Sequence, residues 1–112
     1  MRAPADVVID RLNVLQPDVC VLRTLPDPAS HDVGIPLAVF EVLSPSTRRR
    51  DRTLKATKLL AAGVEEIWLV DPAHRTIQLR TVRGTTCAHG SDEVRSSFLG
   101  PVTLVPERLF GS

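Results

Sequence analysis

Hydrophobic positions along the chain fall into short runs, and most are rich in β-branched and aliphatic residues. Residues 5–9 (ADVVI) form the first run, and Pro17 to Leu22 (PDVCVL) reads as a strand. The stretch TLPDPASHDVGIP follows, with three prolines and a glycine that cannot continue regular structure, so it is expected to be a surface connection. Leu37 to Leu43 (LAVFEVL) is nearly continuous apolar, the pattern of a central strand buried on both faces, broken only by Glu41. An isolated ionised carboxylate there carries a large desolvation cost. Glu41 must therefore be paired, metal-bound or at the solvent end of its strand.

Ser44-Pro45-Ser46-Thr47 stops that strand and supplies hydroxyls that can cap a helix start. The helix is expected from about Arg48 to Ala62, with Leu54, Leu59, Ala61 and Ala62 on its apolar side and Gly63 as its stop. Glu65 to Asp71 (EEIWLVD) is a further strand, Asp71-Pro72-Ala73-His74 a tight turn, and Thr76 to Val82 (TIQLRTV) an alternating partner strand. Together they predict a hairpin at the edge of the sheet. Beyond Val82 the chain is rich in Gly, Ser and Thr and weakly patterned until Val102 to Val105, with a last helical turn at Glu107 to Phe110. There is no internal repeat, and the 112 residues predict a single domain.

Composition narrows the class without naming it. At 43% apolar and 24% charged residues the chain is globular, and its one modest core leaves room for a homodimer. The formal net charge is only +1, yet Arg48, Arg49, Arg50, Arg52, Lys55 and Lys58 concentrate positive charge at the helix. Such a run is as compatible with an ordinary solvated helix start as with an anionic partner. Two cysteines, Cys20 and Cys87, are too few for a disulfide scaffold and wrongly spaced for zinc, so both are expected to be free thiols. His31, His74 and His89 share no ligand spacing and are read as surface residues, and Trp68 as core. The N-terminal segment lacks a signal-peptide core, and no apolar run approaches the ~20 residues that cross a bilayer, so a cytoplasmic protein without membrane contact is expected.

The chemistry that these residues could perform is metal-assisted. Cleaving a phosphodiester needs hard oxygen ligands converging on one point, plus a cation or base that readies a water and offsets negative charge. If the Pro17–Leu22 and Leu37–Leu43 strands are neighbours in one sheet, paired antiparallel or staggered, Asp18 at the start of one can face Glu41 at the end of the other. Lys55 lies two turns into the following helix, and Asp51 stands one turn before it on the same helix face. Taken alone, that pair reads equally well as an exposed ion pair worth ~0.3–0.5 kcal/mol.

Pro17-Asp18, followed by FEVLSPSTRRRDRTLKATKLLAAGVEEIWLVDP at residues 40–72, closely resembles the Uma-two family of restriction-endonuclease-like proteins, within the PD-(D/E)XK nuclease superfamily. The resemblance spans most of the chain. It implies an α/β fold, a restriction-endonuclease-like mixed sheet with a helix packed on it, and an endonuclease that hydrolyses DNA. By the same resemblance Asp18 and Glu41 bind Mg²⁺ (or Mn²⁺), with the backbone carbonyl of Val42 as a third oxygen. The superfamily's usual lysine two places after the glutamate is here Leu43, and the family's helix-borne lysine corresponds to Lys55, with Lys58 a poorer substitute. Lys55 would polarise the attacking water, with Asp51 orienting it. Family members carry more structure ahead of the PD motif, so N-terminal elements are expected to be missing from this chain. One other reading follows from that, a catalytically inactive, truncated remnant that binds DNA or a protein; a third is an interaction module in which an arginine such as Arg49 neutralises Glu41 and the basic patch grips an acidic protein.

Overall fold

The computed structural model describes residues 6–10, 13–15, 19–23, 32–43, 49–100 and 102–111. In chain order these form β1 (Asp6–Asp10), β2 (Asn13–Leu15), β3 (Val19–Val21), β4 (Asp32–Val33), β5 (Ala38–Val42) and α1 (Arg49–Ala61). After them come β6 (Glu66–Asp71), β7 (Thr76–Thr81), β8 (Gly84–His89), β9 (Val94–Arg95), β10 (Thr103–Leu104) and α2 (Pro106–Phe110). The main sheet has the strand order β3-β5-β6-β7-β8; β2-β1-β4 and β10-β9 are separate small sheets.

The mixed pairing of the main sheet follows from its connections. β5 and β6 are parallel, because the helix α1 carries the chain back over the sheet between them, whereas the short turns after β6 and β7 give antiparallel neighbours. β3 lies antiparallel to β5, with Val19 opposite Phe40 and Cys20 opposite Val39. Since successive side chains alternate, β5 divides its residues between two faces. Val39 points to the face covered by α1, where it packs with Cys20, Ala56, Leu59, Val64, Ile67 and Leu69. Phe40 points to the other face, stacked on Trp68 at 5.6 Å between ring centroids and 12° between planes, alongside Ile77, Leu79, Ala88 and Val94.

The helix meets the sheet through a narrower stripe than the apolar pattern suggests. Ala56 and Leu59 are buried, but Leu54 is 54% exposed and Ala61 is also exposed. Gly63, with φ +110, ends the helix in a conformation that side chains rarely adopt, and turns the chain against Ile35. Arg23 closes this corner: its Nε donates to the Ile35 carbonyl (3.2 Å), one terminal nitrogen donates to the Gly63 carbonyl (3.0 Å), and the same nitrogen lies 3.5 Å from Glu65.

The sheet, its helix and the β6–β7 hairpin are as the sequence indicates, but the hairpin is interior. β8 pairs along the whole of β7 and takes the edge. Its sequence GTTCAH buries only Ala88, so no alternation of apolar residues marks it as a strand; it is held by backbone pairing to an interior neighbour. His89 consequently lies in a strand and is exposed, as expected of a surface residue, and Cys20 is buried while Cys87 is exposed, both as free thiols. Strands β1 and β2 precede β3, where only one apolar run was legible. No helix among the described residues is long and apolar enough to cross a membrane.

Candidate active site

Glu41 shares the α1 face of the sheet with Val39, one step before the end of β5. Its side chain is 2% exposed, and its Oε1 lies 2.7 Å from Nζ of Lys55, itself 17% exposed. The sequence explains the meeting. The crossover packs α1 on the sheet face that carries Val39, Ile67 and Leu69, and Lys55 adjoins Ala56, so the residue next to the buried contact reaches Glu41 on that same face. An ammonium at this distance offsets the desolvation of the buried carboxylate. The cation that neutralises Glu41 is thus a lysine; the side chain of Arg49, named above for that role, lies outside what the structure describes.

The remaining site residues are distributed as follows. Val42 ends β5, with its side chain on the opposite face from Glu41 and 49% exposed. Asp18 lies outside the described residues, as do Arg48 and the side chains of Arg49, Arg50, Asp51 and Arg52; Lys58 is exposed on α1. Among the described residues no group of three or more His, Cys, Asp or Glu side chains is gathered for a metal ion. The geometry therefore brings Glu41 and Lys55 together.

Two further buried carboxylates went unnoticed in the sequence. Asp71, at the end of β6, fastens the turn: Oδ1 accepts the His74 backbone N–H at 3.2 Å and Oδ2 meets the His74 ring nitrogen Nδ1 at 2.8 Å. Glu66, at the other end of β6, is fully buried on the Trp68 face, away from Glu41. Its Oε1 accepts the Ser96 hydroxyl (2.6 Å) and the Trp68 indole N–H (3.4 Å), and its Oε2 accepts the Ser97 backbone N–H (2.9 Å). Ser96 Oγ in turn accepts the N–H groups of Phe98 (3.1 Å) and Leu99 (2.7 Å). A carboxylate bordering the apolar run IWLV was the available signal, a weaker one than Glu41 inside its own run.

This node makes a stability prediction. In Glu66→Gln the amide NH₂ must face either the Ser97 N–H, which can only donate, or Ser96 Oγ, whose acceptor capacity is already engaged. The variant is expected to lose about 1–3 kcal/mol, read as a lower urea midpoint at unchanged slope.

A mixed five-stranded sheet with one crossover helix, whose lysine meets a strand-end glutamate, defines a restriction-endonuclease-like α/β fold. The family model described as "Putative restriction endonuclease" (Uma2) matches residues 2–99, and the chain belongs to that family. Among solved structures it is similar to "a putative nuclease belonging to DUF820" from Anabaena variabilis, at 23% identity and a TM-score of 0.75, over 87% of this chain. The chain spans 60% of that protein's length. No curated protein matches its sequence.

Proposed function

We propose that the chain is a metal-dependent endonuclease that hydrolyses DNA phosphodiester bonds, with Asp18, Glu41 and Lys55 as its working residues. The observation that carries this reading is the Glu41–Lys55 pair: a buried carboxylate at a strand end, held 2.7 Å from an ammonium on the crossover helix. Family membership supports the reaction class. Asp18 takes its role from the resemblance carried by Pro17-Asp18; β3, which follows it in the chain, pairs antiparallel with the Glu41 strand, with Val19 opposite Phe40.

The donor set suits a hard divalent cation such as Mg²⁺ or Mn²⁺: carboxylate oxygens from Asp18 and Glu41, and the Val42 carbonyl. Such a cation supplies Lewis-acid polarisation of the phosphoryl group and a more acidic water. The chain's own residues do the rest. Glu41 can share its two oxygens between a cation and Lys55. Lys55, positioned by Glu41, holds the attacking water and places positive charge where negative charge grows on the phosphate. A homodimer would let two such sites cut both strands. The cytoplasm is the compartment that this activity implies.

The test is nicking of supercoiled plasmid at low salt with Mg²⁺, with Mn²⁺ and with excess chelator, comparing the native chain with Asp18→Asn. Nicking that requires metal and is lost in Asp18→Asn is expected. A folded native chain that binds DNA but cuts with neither metal would replace this reading by that of an inactive, DNA-binding relative.

A further inference from the structure

The α1 face of the sheet does not end where the helix does. Across the pairing ladder, Glu41 lies opposite Leu69, Leu69 opposite Gln78, and Gln78 opposite Cys87, so one row of side chains runs from the candidate active site to the edge strand. In the next row Val39, Ile67, Arg80 and Thr85 stand in line. The helix covers the β5 and β6 ends of these rows, where Val39, Ile67 and Leu69 are core. On β7 and β8 the same face carries Thr76, Gln78 and Arg80, partly exposed, and Thr85, Cys87 and His89, exposed. The opposite face of the same two strands is apolar on β7 and buries Ile77, Leu79 and Ala88.

Arg80 sets this strip apart from a merely solvated sheet face. Its Nε donates to Gln78 Oε1 at 2.9 Å, which turns the guanidinium toward the Glu41 row. Among the strand-borne or corner arginines, Arg23 and Arg95 each meet a glutamate, Glu65 and Glu93, whereas Arg83 and Arg108 in a turn and the last helix share with Arg80 the lack of an ion pair among the described residues. Among the described residues no carboxylate stands within ion-pair distance of Arg80. A planar fork held by a neutral neighbour, with its terminal N–H groups unmatched by an acid, suits a phosphate. Two strand spacings of ~4.8 Å place β7 about 10 Å from β5, roughly three nucleotides of a DNA strand at ~3.4 Å rise each.

We propose that the uncovered strip of β7 and β8, with Arg80 held by Gln78 at its centre and Thr85 beside it, is where the DNA backbone lies as it leaves the Glu41–Lys55 site. This rests on the nuclease reading and adds to it the path of the substrate. Arg80 contacts a phosphate other than the one cut, and the contact is independent of base sequence.

The experiment measures binding of a short labelled DNA duplex across a range of salt concentrations by fluorescence anisotropy, in a Glu41→Gln background so that the probe survives. Arg80→Ala is expected to weaken binding equally for unrelated duplexes and to reduce the slope of log affinity against log salt by about 1. Arg80→Lys should keep the slope. Adjacent exposed residues on opposite faces of β8 supply variants that do not depend on packing: Thr85→Glu should weaken binding markedly, and Thr86→Glu, facing away, should not. Equal binding by Arg80→Ala, Thr85→Glu and their parent would overturn the strip, and plasmid nicking by the native chain would show that the nuclease reading survives it. If Thr85→Glu changes only the oligomeric state, seen by light scattering, the strip is a contact between copies and the proposal falls. If the parent does not bind DNA and the native chain does not cut it, both readings fall.

Discussion

Glu41→Gln is expected to yield a folded chain that no longer nicks plasmid DNA at a measurable rate. Glutamine has nearly the shape of glutamate, so the packing around a side chain that is 2% exposed is kept. What disappears is the negative charge that would hold a divalent cation. Losing about 3–4 kcal/mol of metal-derived transition-state stabilisation corresponds to a rate drop of roughly 10²–10³, since each 1.36 kcal/mol is tenfold. Lys55 is left without its anion, but it is 17% exposed and its flexible stem can carry the ammonium outward to water. Fold and activity should therefore separate. Mn²⁺ should raise the melting temperature of the native chain, because a ligand bound only by the folded state stabilises it, and should leave Glu41→Gln unmoved. Undiminished cutting by the variant would remove Glu41 from the metal site.

The part of the fold that was legible in the sequence is the part whose side chains carry the information. β5 and β6 are interior to the sheet, so AVFEV and the central IWLV of β6 are nearly all apolar, and the intruding Glu41 could be recognised as costly before any partner was known. Of the antiparallel and staggered pairings open to the Pro17–Leu22 and Leu37–Leu43 runs, β3 and β5 adopt the antiparallel one. β8 was missed because its strand character comes from the neighbour it pairs with and not from its own residues. The apolar side of α1 is narrower than its sequence pattern: with Leu54 exposed, the helix packs through Ala56 and Leu59, with Leu60 partly buried beside them. Glu66 and Arg80 escaped notice for a common reason. Each acquires its meaning from partners on other elements or from the register of the sheet, Ser96 and Ser97 for one and the row beside Glu41 for the other. Alternation along one strand reveals neither.

The largest change in stability should come from the other half of the pair. Lys55→Met keeps an aliphatic side chain over the strand end but strips the cation from a glutamate side chain that is 2% exposed, and breaking a buried ion pair from one side typically costs about 3–5 kcal/mol. That is a large fraction of the stability of a small domain, typically ~5–15 kcal/mol. The measurement is urea unfolding followed by the fluorescence of Trp68, the single tryptophan, which is fully buried and reports loss of the sheet. The double variant Glu41→Gln/Lys55→Met should recover most of the loss, because it leaves neither charge uncompensated, and the coupling energy of the cycle isolates the pair. If Lys55→Met unfolds at the same urea concentration as the native chain, Lys55 is not what makes the burial of Glu41 tolerable. The two side chains would then be joined by their place in the site and not by mutual stabilisation. If the double variant is as stable as the native chain but inactive, the pair contributes little net stability, and its place at the strand end is explained by the reaction it serves.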